Sequence, residues 1–331
     1  MAYTSNYGLP ELRRAIARKL ATVNGIHIDP EQEVIVTVGT NEAVLMIMRG
    51  LLNPGDEVLV PDPMWLHYMH CATLAGARVV SVPLSESNRF MVDPDDVRAR
   101  ITSQTRMLIL NTPHNPTGAV YDDTTLRAIA DVVYENGLWL VSDEIYEQIC
   151  FDGAKHISPG SFPHIADRTI TINGFSKAYA MTGWRIGYLA ARANIVDILI
   201  RVHQYSTICA TSFAQSDAVA ALEGPQNSVR DMVLAFEQRR RVIISAVDEM
   251  NYMTLARPEG AFYAFLNIAQ TGMTSAEFAL KLLNEEQVAI VPGQAFGQYG
   301  EGFVRIAYAC SLTDVERGMK RIHRFTNHNC P

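Results

Sequence analysis

"EVIVTVGTNEAVLMIMRGLLNPGDEVLVP", Glu33–Pro61, decides the architecture. "EVIVTVG" (Glu33–Gly39) is rich in β-branched residues and reads as a strand. "TNEAVLMIMRGLL" (Thr40–Leu52) reads as a helix capped by Thr40 or Asn41. "PGD" (Pro54–Asp56) is a turn, and "EVLVP" begins the next strand. Near-continuous apolar strands separated by helices predict a mostly parallel sheet covered on both faces.

The same alternation extends outward. "MWLHYMHCATLAG" reads as a helix ending at Gly76, "ARVVSVPL" as a strand and "PDDVRARI" as a helix. "RMLILN" (Arg106–Asn111) is a strand, "DDTTLRAIADVVYENG" (Asp122–Gly137) a helix, and "LWLVSDE" (Leu138–Glu144) a strand. "RTITIN" and "RIGYLAA" supply two more strands. The texture changes after about Thr211. A long helical tract, Pro225–Met250, leads into "GAFYAFLNI", the helix "TSAEFALKLLNEEQ", the strands "VAIVP" and "GFVRIAYA", and a last helix from Thr313. The expected division is a large domain over residues 1–238 and a smaller α+β domain over 239–331.

The bulk composition narrows the function. The chain has 331 residues, 48% hydrophobic and 19% charged, enough for a substantial core. Its net charge of −7 argues against nucleic acid or an anionic membrane as the main partner. Five scattered cysteines with no CxxC read as reduced thiols in a cytoplasmic protein, and no metal is expected. The opening "MAYTSNYGLPELRR" has no apolar signal region, and no run approaches a membrane span.

Ligands of parallel sheets sit beyond the strand carboxyl ends, so polar residues there are the candidates. Gly39, Thr40 and Asn41 lie where a strand becomes a helix. They either cap that helix or bind an anion on its free N–H groups. In "TPHNPTG" (Thr112–Gly118), Asn115 precedes Pro116 and is held extended, its amide presented or simply part of a turn. In "SDEIY" (Ser142–Tyr146), Asp143 either caps a helix or faces a cleft and a cationic partner. Lys177, in "NGFSKAYAMTGWRIGY" (Asn173–Tyr188), has no acid within eight residues on either side. It either snorkels to solvent or serves as a nucleophilic amine of depressed pKa. Arg185 suits phosphate or carboxylate. Arg305, in the apolar strand "FVRIAYA" (Phe303–Ala309), wants a carboxylate, from a substrate or from a buried acid. Trp65 suits a flat ring or the core. Together these residue types match the needs of pyridoxal phosphate chemistry.

The chain resembles the class I/II pyridoxal-phosphate aminotransferases of fold type I. "GFSKAYAMTGWRIGY" is similar to the family's cofactor-lysine signature. "HNPTG", "SDEIY" and "FVRIAYACS" occur in the family's order, and the resemblance spans essentially the whole chain. It implies a large, mostly parallel seven-stranded sheet between helices, with a smaller C-terminal α+β domain. It also implies that Lys177 forms an internal aldimine with pyridoxal 5'-phosphate and later moves a proton. Asp143 would pair with the pyridine nitrogen, while Asn115 and Tyr146 would bond the ring hydroxyl. Gly39, Thr40, Asn41 and Arg185, with Ser176, would hold the phosphate. Trp65 would stack on the ring, and Asn115 and Arg305 would bind substrate. The family is homodimeric with a shared site, which makes Tyr3, in "YTSNYGLPELRRAI", the residue expected to reach the partner's phosphate.

Two departures from the family pattern stand out. Members usually carry several dozen residues ahead of "YTSNYGLPELR", a segment that completes the small domain and closes over substrate. They also often have Ser where this chain has Gly174. The implied reaction is a ping-pong transfer of an amino group from an L-amino acid to a 2-oxo acid. Asn41 stands where some bacterial aspartate enzymes have a lysine, so broad donors, including aromatic or neutral ones with 2-oxoglutarate as acceptor, are expected at least as much as aspartate. The alternatives are a C–S lyase of the same fold, a regulator that binds the cofactor as an effector, and a truncated, non-catalytic cofactor-binding chain.

Overall fold

The computed structural model describes residues 3–330. Seven strands form one sheet: β1 (Val34–Thr37), β2 (Glu57–Asp62), β3 (Arg78–Pro83), β4 (Thr105–Asn111), β5 (Trp139–Asp143), β6 (Thr169–Gly174) and β7 (Gly187–Ala190). Their order is β1-β7-β6-β5-β4-β2-β3. β2 pairs parallel with β3 and β4, and β4–β5 and β5–β6 are parallel too. β7 alone runs antiparallel, against both β1 and β6.

That reversal brings the site together. Strands β1, β4, β5 and β6 end at the same edge of the sheet. β7 begins there, with Gly187 opposite both Gly174 and Thr37. Residues just before β7, Arg185 among them, therefore join those that follow the other strands.

Helices cover both faces. Among the described residues they are α1 (Pro10–Lys19), α2 (Thr40–Leu51), α3 (His67–Leu74), α4 (Pro94–Arg98), α5 (Asp123–Glu135), α6 (Ala193–Ser206), α7 (Ser212–Glu223), α8 (Asn227–Asp248), α9 (Ser275–Glu286) and α10 (Leu312–Asn329). α5 shows why these segments fold as they do. Asp122 caps it by accepting from the Thr125 N–H, and Leu126, Ile129, Ala130 and Val133 form one buried stripe. On the opposite face, Met46, Ile47, Tyr68 and Leu199 from α2, α3 and α6 pack over Ile35, Ile109 and Ile172.

A second sheet, β10-β11-β9-β8, is wholly antiparallel, with β8 (Thr254–Leu255), β9 (Tyr263–Asn267), β10 (Val291–Pro292) and β11 (Phe303–Ala307). Its core joins Phe236 and Ile243 of α8, Phe278 of α9, and Met319, Ile322 and Phe325 of α10. The loop after β10 touches the large sheet's edge, where the Met64 N–H donates to the Phe296 carbonyl at 2.6 Å.

Some elements differ from the sequence reading. The strand in "VAIVP" is only Val291–Pro292, and the helix in "MWLHYMHCATLAG" is only His67–Leu74. Neither Thr40 nor Asn41 caps α2. The residue ahead of the helix is Gly39, at φ 77° and ψ 170°, and no side chain bonds the first N–H groups.

Candidate active site

At the edge where these strands end lies a cavity of about 320 Å³. Its lining includes Thr40, Asn41, Trp65, Asn115, Asp143, Tyr146, Ser176, Lys177, Arg185 and Arg305. Gly39 and Tyr3 are the two expected residues outside that lining. Gly39 backs the wall, because a Cβ added to it would sit 2.7 Å from the Arg185 Nη2. Tyr3 is 83% exposed on its own chain.

The start of α2 is one end of the cavity. With no cap on its first turn, its N–H groups and dipole offer an anion site. Arg185 reaches it from just before β7, holding a left-handed φ of 51° and donating to the Thr182 carbonyl at 3.1 Å. Behind this turn, Glu42 accepts from the Val38 N–H at 2.6 Å and from His203 Nδ1 at 2.9 Å, which fixes the turn against α6.

Asp143 ends β5 and is 1% exposed. It accepts from the Tyr68 hydroxyl at 2.7 Å and from the Ile145 N–H at 3.2 Å. Burial pushes its carboxyl up to about 6, against the opposing pull of those bonds. No cation pairs with it among the described residues. Asn111, ending β4 alongside, donates to the Asp143 carbonyl at 3.0 Å and accepts from the Asn115 N–H at 2.9 Å.

Lys177 follows β6. Its Nζ has no hydrogen-bond or ion-pair partner among the described residues and lies 5.5 Å from the Phe262 ring centre and 5.9 Å from that of Tyr146. Burial lowers its pKa, and the fields of Arg185 and Arg305 lower it further, while Asp143 opposes them. The result is an amine more readily neutral, hence nucleophilic, than an exposed lysine. Gly174, three residues earlier, abuts β7, and a Cβ there would meet the Gly187 Cα at 3.1 Å.

Arg305 lies on β11, its guanidinium between the rings of Tyr263 at 4.5 Å and Phe296 at 4.7 Å. It donates to the Asn115 Oδ1 at 3.0 Å, and its Nε is buried without a partner. The buried acid that would make it a structural ion pair is absent among the described residues. One acid thus faces three basic side chains without carboxylate partners, an arrangement suited to an anionic ligand.

Sequence reasoning missed Tyr68, Asn111, Tyr263 and Phe296. Asn111 carried a signal, as the polar end of an apolar strand, and Tyr68 follows Trp65 by three residues. The two aromatic residues of the small-sheet region carried none. A second buried group, Glu144, Glu147 and His156, lies beside the site but is tied internally: Lys19 pairs with Glu147, and Asn24 and Ser158 donate to Glu144.

The family model described as "Aminotransferase class I and II" matches residues 1–322. The chain belongs to the class I and II aminotransferases. This aminotransferase is 42% identical over 324 residues to the aromatic-amino-acid aminotransferase 2 of Thermococcus litoralis, covering 97% of this chain and 83% of that one. It is 42% identical over the same length to the aspartate aminotransferase of Pyrococcus abyssi, with the same coverage. The solved structure of the aromatic aminotransferase from Pyrococcus horikoshii superposes with a TM-score of 0.97 at 42% identity, covering 99% of this chain and 88% of that one. The family is pyridoxal-phosphate-dependent, and its fold agrees with the sheet and helix layers described above. No helix among the described residues is long and apolar enough to cross a membrane.

Proposed function

We propose that this cavity holds pyridoxal 5'-phosphate on Lys177 and moves amino groups from neutral or aromatic L-amino acids to 2-oxoglutarate in two half-reactions. The observation that carries this is the half-buried, unpaired Lys177 amine among Asp143, Arg185 and Arg305. The residues fit the group. The open first turn of α2, with Thr40, Asn41, Ser176 and Arg185, takes the phosphate. Asp143 takes a protonated ring nitrogen, which supplies the cation that this buried carboxylate lacks. Asn115 and Tyr146 take the ring hydroxyl, and Trp65 takes a ring face.

When bound, the cofactor serves as the electron sink that makes the substrate's α-proton removable. The chain does the rest. Arg305, braced by Asn115, orients the substrate through its α-carboxylate with the paired N–H groups of a guanidinium. Lys177 carries the proton from the α-carbon, a task for which a lowered pKa suits it. Asp143 keeps the ring nitrogen protonated. Trp65, Ile145 and Tyr263 give the lining apolar surface, and Asn41 adds no charge for a distal carboxylate, which favours neutral and aromatic donors. The relatives described above are named for aromatic amino acids and for aspartate, so a donor panel decides between these classes.

We further take the chain to be a homodimer in which Tyr3 reaches the partner's phosphate. Its 83% exposure leaves it free to do so. The domain boundary is taken at 238/239, within α8. Five free thiols support a cytoplasmic setting. Borohydride reduction of the loaded protein, followed by peptide mass mapping, tests the central assignment. The cofactor mass is expected on Lys177, and its appearance on another lysine would overturn the reading.

A further inference from the structure

Tyr263 opens β9 in the small sheet and is 6% exposed. Its hydroxyl lies 2.9 Å from that of Tyr146, which follows β5 of the large sheet. The two rings meet edge to face, 5.6 Å apart at 79°. The Arg305 guanidinium stands over the Tyr263 ring at 4.5 Å. We propose that Tyr263 is a positioning residue that aims the Tyr146 hydrogen at the ring oxygen of the bound cofactor. This rests on the assignment of Tyr146 to that oxygen.

The reasoning is one of hydrogen counting. Each phenol has a single hydrogen, so only one of the two hydroxyls donates to the other. If Tyr146 donates to the cofactor, it must accept from Tyr263. Any other arrangement leaves Tyr146 pointing its hydrogen at Tyr263 and an oxygen lone pair at the cofactor. Arg305 selects the productive arrangement. A permanent cation over the Tyr263 ring withdraws electron density from that phenol and makes it the stronger donor of the pair. The chain of donors then runs Tyr263 to Tyr146 to ring oxygen, each bond strengthening the next. Tyr146 follows β5 of the large sheet and Tyr263 opens β9 of the small one, so the relay joins the large sheet's edge to the small sheet.

The experiment is a pH titration of visible absorbance for the pyridoxal-phosphate-loaded protein, its Tyr263→Phe and Tyr146→Phe variants, and the double variant. Phe keeps the ring beneath Arg305 and removes only the hydroxyl. A hydrogen bond to the ring oxygen favours the high-pH form, in which that oxygen carries more negative charge. Weakening the bond therefore moves the spectral midpoint to higher pH. A rise of about 0.5–1 pH unit is expected for Tyr263→Phe, the size of one net hydrogen bond. A larger rise is expected for Tyr146→Phe, with no further change in the double variant. An unmoved midpoint in Tyr263→Phe beside a raised one in Tyr146→Phe overturns the relay and leaves the Tyr146 assignment standing. Equal shifts from Tyr263→Phe in both backgrounds also overturn it, because Tyr263 would then act independently of Tyr146. If neither variant moves, the Tyr146 assignment falls and the relay with it.

Discussion

Replacing Arg305 by Met separates a ligand-binding arginine from a structural one. The substitution removes the two ring contacts at 4.5 and 4.7 Å and one bond to Asn115 at 3.0 Å. Those sum to about 2–3 kcal/mol of lost stabilisation. Against this, a desolvated guanidinium with no acid beside it and a buried, unpartnered Nε no longer has to be accommodated. That relief is several kcal/mol for a deeply buried ion and less for one that keeps some solvent contact. The unloaded Arg305→Met chain is therefore expected to unfold within about 1 kcal/mol of the parent, or above it, a change of roughly 2 °C or less in Tm at this chain length. Activity is expected to respond very differently. Losing a two-pronged, charge-assisted contact to the α-carboxylate costs about 3–5 kcal/mol, or roughly 10²–10⁴ in kcat/KM, for amino acid and 2-oxo acid alike. Thermal unfolding with steady-state kinetics for both half-reactions reads the two effects. A Tm lower by many degrees with kcat/KM nearly unchanged would refute the assignment and make Arg305 a structural residue.

Three further predictions follow from the same geometry. Gly39→Ala forces a Cβ into a backbone of φ 77° and ψ 170° and to within 2.7 Å of Arg185, so it is expected to cost about 1–3 kcal/mol in stability and at least tenfold in cofactor affinity, read by titrating absorbance. Asp143, raised from 3.8 to about 6 by burial, keeps its proton longer in the unloaded native chain than in the unfolded one. The parent therefore loses stability relative to Asp143→Asn as pH climbs from about 4 to about 6, by up to roughly 3 kcal/mol, with no further change above that; urea unfolding at several pH values checks it. Lys177→Ala is expected to leave the fold intact by circular dichroism while abolishing borohydride-fixed cofactor, since Nζ holds no other element in place.

The legible part of this fold is the part that local chemistry encodes. Apolar runs such as "RMLILN" and "LWLVSDE" are strands because they are buried on both faces, and Asp143, at the exit of the second, marks the ligand edge. Lys177, Arg185 and Arg305 stood out as cations in apolar surroundings, and all three line one cavity. The direction of β7 was not legible, because the periodicity of "RIGYLAA" is the same whichever way that strand runs, yet its antiparallel course is what delivers Arg185. The cap of α2 differs from the sequence reading because Thr and Asn are the usual capping residues; here a glycine at φ 77° and ψ 170°, a backbone that favours glycine, precedes the helix, which frees both side chains for the cavity. Tyr68 and Tyr263 act through residues 75 and 117 positions away, a proximity that no local pattern records.

The most direct test of amino transfer is the visible spectrum of the pyridoxal-phosphate-loaded chain during single half-reactions. Addition of an aromatic or neutral L-amino acid, without any acceptor, is expected to convert the cofactor stoichiometrically to its pyridoxamine form. Addition of 2-oxoglutarate is expected to restore the starting spectrum. A bound, Lys177-dependent spectrum that no amino acid alters, or one that decays with release of pyruvate and ammonia instead of reverting, would contradict transamination by this site.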